Sequence, residues 1–94
     1  MTKFHTNYTK PMVFVVVHVS EPGMQVNSAV FESEEDATVA SLAILEERAP
    51  NYDINFQSAY ERYGNDLISE WHSITRYMER IEVFQCPINI LQGE

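Results

Sequence analysis

Three histidines, one cysteine and fourteen acids are the side chains of this 94-residue chain with the clearest chemical potential, and their spacing limits what they can do. His5, His18 and His72 form no H-x-x-x-H pair, and Cys86 has no second thiol to share a metal with. No metal site and no cofactor are expected from such scattered ligands. Cys86 lies between Gln85 and Pro87 with no cation beside it to stabilise a thiolate, so it reads as a buried structural cysteine. The glycines Gly23, Gly64 and Gly93 form no phosphate-cradling cluster, and no G-x-S-x-G elbow occurs. No catalytic residue is assigned on this pattern, and the chain is not expected to be an enzyme. His5 falls in a polar N-terminal stretch. His18 closes an apolar run, where a neighbour is expected to bond it, and His72 sits on a polar helix side.

Two acids and a set of aromatics remain. Phe56, Tyr60, Tyr63, Leu67, Trp71, Ile74, Met78 and Ile81 recur at helical spacing and fall within roughly 60° of one direction. Glu70 is the carboxylate that projects onto the border of that stripe, with Asp66 one turn before it. A buried acid there would be a general acid/base candidate. At the border, the pair instead reads as the edge of a packed face, placed to receive an arginine from a partner. Tyr60, Tyr63 and Trp71 are expected in the core, and Tyr77 partly exposed, as interface aromatics are.

The elements that must position these groups follow from patterning. Residues 1–10 read as a loose arm. Met12 to Val19 is strand-like, and six successive apolar positions imply that both of its faces are covered. Ser20-Glu21-Pro22-Gly23 is turn chemistry. Met24 to Phe31 alternates, with Met24, Val26 and Val30 as the buried set of a half-buried strand, so the pair reads as an antiparallel hairpin. Ser33 is a helix N-cap with Glu34, Glu35 and Asp36 in the first turn. That helix runs to Arg48 or Ala49 before Pro50, and its apolar circumference implies cover on more than one side. The periodic stripe predicts one long helix from residue 56 to about 80, kinked at Gly64, against the alternative of a helix followed by a long strand within residues 72–85. A strand from Ile81 or Glu82 to Cys86 follows, and Ile88, Ile90 and Leu91 pack back on the core.

The resulting fold class is α+β: a small antiparallel sheet of about three strands in the order β-β-α-α-β, with two helices on one face and the first strand central. One domain spans residues 11–94. A helix over residues 56–80 would be roughly 37 Å long. That exceeds a compact domain of this size, and with the covered faces it points to a homodimer. The longest apolar run, Met12 to Val17, is too short to span a bilayer, and the polar N-terminus is unlike a signal peptide. With a single cysteine, a reducing cytoplasm is the expected compartment, the host's if the chain is phage-encoded.

Charge placement carries what functional reading there is. The net charge of −8 excludes the basic face of an ordinary nucleic-acid binder, and eleven aromatics with 45% apolar residues exclude a disordered acidic tail. Residues 1–10 carry two lysines, residues 11–47 carry seven acids and no Lys or Arg, and residues 48–94 carry seven acids against four arginines. Glu34, Glu35 and Asp36 suit a helix N-terminus. Glu46 and Glu47 oppose the local field at the C-terminus, which implies an outside demand. The expectation is a small acidic interaction module docking on a basic protein surface of a nucleic-acid-processing partner, through Glu34, Glu35, Asp36, Glu46, Glu47, Asp66, Glu70 and Tyr77. Such a chain resembles the small accessory or inhibitor proteins of phages and mobile elements. The alternatives are a DNA mimic, or a small enzyme or ligand-binding domain with a pocket between the long helix and the sheet, using His18, Tyr63, Glu70 and His72.

Overall fold

Valine-rich sequence builds the central strand. In the computed structural model, which describes residues 12–20 and 25–87, β1 (Met12–Ser20) lies between β2 (Gln25–Phe31) and β3 (Glu79–Pro87). Both pairings are antiparallel. Val16 stands opposite Ala29 and Val83, and His18 opposite Asn27 and Ile81, so these side chains share one face. The helices cover that face. The fold is α+β in the expected order β-β-α-α-β, with the first strand central. The arm over residues 1–10 with His5, the turn at residues 21–23 with Met24, and the tail carrying Ile88, Ile90 and Leu91 lie outside the described residues.

Ser33 caps α1 (Glu34–Arg48): its Oγ accepts the Asp36 N–H at 3.1 Å, and the three acids occupy the first turn as expected. The buried stripe of α1 is Ala37, Ser41 and Leu45. Small residues at two of these positions bring the helix close to the sheet, and Ser41 donates to the Ala37 carbonyl at 2.8 Å, which removes a hydroxyl that burial would leave unsatisfied. The described residues cover only one side of α1. Val39 and Ala43 are exposed, so the apolar circumference reflects uncovered residues and not a second packing partner. A 3₁₀ turn, Ala49–Tyr52, carries Pro50 in its first turn, and Asp53 closes it in the left-handed region at φ 58°.

The second helical segment is shorter than its periodicity predicts. It consists of α2 (Phe56–Tyr63), capped by the Asn55 side chain on Ser58 N–H at 2.9 Å, and α3 (Leu67–Ile74). Gly64, at φ 59°, breaks the two apart through a 3₁₀ turn, Gly64–Asp66. The break falls at the expected kink, but the helix does not continue to residue 80. Thr75 ends it, Arg76 and Tyr77 turn the chain in the left-handed region at φ 57° and 66°, and β3 starts at Glu79, earlier than Ile81. Ile81 points inward under either period, which is why the helical spacing ran on past the true end. The 37 Å helix, and the homodimer argument drawn from it, therefore fall away.

Trp71, Leu67, Leu45, Val16, Ile81, Ala37 and Ala49 form the core, and Tyr63 packs half-buried against it. Tyr60 is exposed and stacks on Phe56 at 6.0 Å between ring centroids, so it is not a core residue. Among the described residues, cover is found on only one face of β1, not on both as expected. Val13, Val15, Val17 and Val19 point away from the helices onto a face that no described helix covers. Val26 and Val30 lie on that same face, 67% and 64% exposed, so the alternation of β2 is real but its apolar set is outward. Cys86 is half-buried there as well, not enclosed in the core.

Candidate functional site

Among the described residues one carboxylate is fully enclosed, that of Glu79, 1% exposed at the start of β3. It faces four donors drawn from distant parts of the chain. Arg48, at the end of α1, donates from Nε to Oε2 at 2.7 Å and closes an ion pair through its second nitrogen. The Tyr52 hydroxyl donates to the same oxygen at 2.7 Å. Trp71 Nε1–H donates to Oε1 at 3.2 Å, and His18 Nε2 lies 3.0 Å from Oε1. Thr75 completes the enclosure. Its Oγ1 accepts the Glu79 N–H at 3.1 Å and donates to the Trp71 carbonyl at 2.9 Å.

Burial by itself raises the Glu79 carboxyl. The bonds from Arg48, Tyr52, His18 and Trp71 outweigh it and hold the group at about 2. The Glu79 carboxylate in turn raises Arg48, and burial followed by the same carboxylate raises the Tyr52 phenol. Glu79 is thus an acceptor that is ionised at neutral pH, with its lone pairs occupied. It ties α1, the 3₁₀ turn, α3, β1 and β3 together and has no capacity left for proton transfer at neutral pH. The sequence pattern singles out Glu70 instead, which is exposed. Under the helical period Glu79 falls about 120° from the centre of the apolar stripe, so the spacing carries no signal for it. Arg48 as the only cation on α1 is the one clue.

The eight expected partner-binding residues are all exposed. The turn at Arg76 and Tyr77 leaves the Tyr77 side chain 65% exposed, its ring edge against His72 at 4.9 Å between centroids. His72 lines an open groove of about 880 Å³ between the first half of α1, α3 and β3. Glu34 and Thr38 line it from α1, Asn65 and Ile68 from the region of α3, and Arg80 and Glu82 from β3. Asp66 and Glu70 are the sequence neighbours of groove-lining Asn65 and Ser69, and Glu35 and Asp36 continue the first turn from Glu34. Glu46 and Glu47 lie at the other end of α1, roughly 18 Å along the helix axis. Glu47 instead lines a second depression with Arg48, His18 and Asn51. The candidates therefore divide between the two ends of α1.

Among the described residues, the ion pairs formed by acids use only Glu79 and Glu82, the latter with Arg80 at 3.5 Å. None of the acids on α1 is engaged in one. The four residues of the pocket alternative do not converge: His72 lines the groove, His18 is bonded to Glu79, Tyr63 packs on the core and Glu70 faces solvent. Among the described residues no cluster of three His, Cys, Asp or Glu side chains is placed to hold a metal ion, and no helix is long and apolar enough to cross a membrane. Compared with protein-family models, curated proteins and solved structures, the chain matches none.

Proposed function

We propose that this protein is a small acidic interaction module that receives a basic protein surface at the groove between α1, α3 and β3. The observation that supports it most is the set of acids at the groove that form no ion pair among the described residues. Glu34 lines it, Glu35 and Asp36 extend the same turn, Asp66 and Glu70 adjoin it, and Tyr77 offers an exposed ring beside groove-lining His72. Acids that take no part in internal ion pairs remain available to an outside cation, and opposite charge accelerates encounter. An aromatic beside them supplies the apolar anchor that charge alone lacks. The partner in this reading is a nucleic-acid-processing protein, whose phosphate-binding surface is basic, and the chain acts as its accessory or inhibitor. Glu46 and Glu47 form a second acidic point at the far end of α1.

Neutralising variants of equal charge test the placement. One carries Glu34→Gln, Asp66→Asn and Glu70→Gln. The other carries Glu46→Gln, Glu47→Gln and Asp53→Asn. A partner captured by the native chain at low salt is titrated against both by isothermal calorimetry. The expected result is at least a tenfold loss for the first set, steeper salt dependence for the native chain, and a smaller loss for the second. Equal loss in both sets extends the surface along the whole of α1. Undiminished binding by both refutes the reading.

A further inference from the structure

The sheet face opposite the helices is arranged in rows by the strand register. Val30, Val15 and Phe84 form one row, Ser28, Val17 and Glu82 the next, and Val26, Val19 and Arg80 the third, with Val13 and Cys86 beyond Phe84. Val26, Val30 and Phe84 are 67%, 64% and 45% exposed. Apolar side chains dominate β1 and β2 on this face, and on β3 Phe84 and Cys86 alternate with the charged pair Glu82 and Arg80. A three-stranded sheet with an apolar face that no described residue covers leaves unrealised the burial that stabilises two-layer folds.

From these rows we infer that this face is the contact between two copies of the chain, stacked sheet on sheet in a four-layer α-β-β-α arrangement. Charge selects a second copy as the occupant. The chain carries −8, so two copies repel each other through most of their acidic surfaces. Among the described residues this face holds one cation, Arg80, and one anion, Glu82, which balance. Two acidic molecules can meet here without opposing like charge, and a two-fold axis allows the Arg80 and Glu82 of each copy to face their opposites. A basic partner finds no net negative charge on this face to attract it. Area agrees with a weak contact. Three strands of this length present a footprint of about 400 Å² per copy at the usual strand spacing and rise. That is about 800 Å² in all, below the range of stable specific interfaces, so the pair is weak and transient.

The test is sedimentation velocity of the full chain from about 2 to 300 µM, with Val30→Lys and Phe84→Lys as separate variants. Both positions are exposed in the single chain, so lysine there leaves the monomer folded, which far-ultraviolet circular dichroism checks. The expected outcome is a concentration-dependent dimer, weakened at least tenfold by either lysine. Alkylation of Cys86 supplies a second reading. It should slow as the native chain is concentrated and remain fast at all concentrations in the variants. A monomer of 10.9 kDa throughout the range overturns the inference, whatever else covers the face. A dimer that both lysine variants leave intact overturns it equally, because the contact is then elsewhere. If Phe84→Lys perturbs the fold, Val30→Lys and the Cys86 rate decide the matter.

Discussion

Replacing Glu79 by glutamine keeps the shape of the side chain and removes the charge that four donors converge on. Glutamine offers one carbonyl oxygen where the carboxylate offers two, and its amide presents a donor to groups that already donate. Arg48 then loses its anion, and Tyr52, Trp71 and His18 compete for a weaker acceptor. Removing one partner of a buried pair costs about 3–5 kcal/mol. Proton linkage yields a separate figure. A carboxyl held at about 2 in the folded chain against an ordinary 4.5 is worth about 3 kcal/mol at neutral pH. The 32% exposure of the Arg48 side chain admits water and lowers this to about 2 kcal/mol. A loss of about 2–4 kcal/mol is therefore expected, from a total of roughly 5–14 kcal/mol for a chain of this length. The sign with pH follows from the depressed folded value. The contribution is complete above the unfolded pKa near 4.5 and is lost as pH falls towards 2, with about 60% gone at pH 3. Urea unfolding at pH 7, 4 and 3, followed by the emission of Trp71, measures both quantities, since this single tryptophan bonds to Glu79. Native and variant should differ most at pH 7 and converge towards pH 3. A gap below about 0.5 kcal/mol at pH 7, or one that persists unchanged at pH 3, refutes the reasoning.

Other perturbations are smaller and more local. Ser33→Ala removes the acceptor for Asp36 N–H and should cost about 1 kcal/mol in the same urea assay. Gly64→Ala meets no atom within 4 Å of the new Cβ, so its expected cost of about 1–3 kcal/mol comes from the backbone at φ 59° and ψ −139° alone. A substitution without measurable cost there would show that the backbone at the break relaxes freely. Thr75→Val preserves shape but leaves the Glu79 N–H without its acceptor, for an expected loss of about 1–3 kcal/mol. In a double-mutant cycle with Glu79→Gln the two losses should fall short of additive, and strict additivity would argue against a shared network.

The sequence by itself determined the strands, their order, the central position of β1, and α1 with its Ser33 cap. Each of these rests on local signals, such as valine runs, alternation and capping chemistry, that act within a few residues. It also showed where charge is concentrated. Three matters needed the folded chain. The end of α3 was hidden because Ile81 faces inward on either a helix or a strand, so only the hydrogen bonds of Thr75 and the left-handed turn at Arg76 and Tyr77 decide between them. The cover of β1 was hidden because a run of valines records which side chains resist water and not how many layers a chain of this length can supply. The site that ties the molecule together was hidden most completely. His18, Arg48, Tyr52, Trp71 and Glu79 are separated by up to 61 residues and share no spacing, and only packing brings them around one carboxylate. A buried charge is tolerated when its donors surround it, and that condition is a property of three-dimensional proximity that no local pattern encodes.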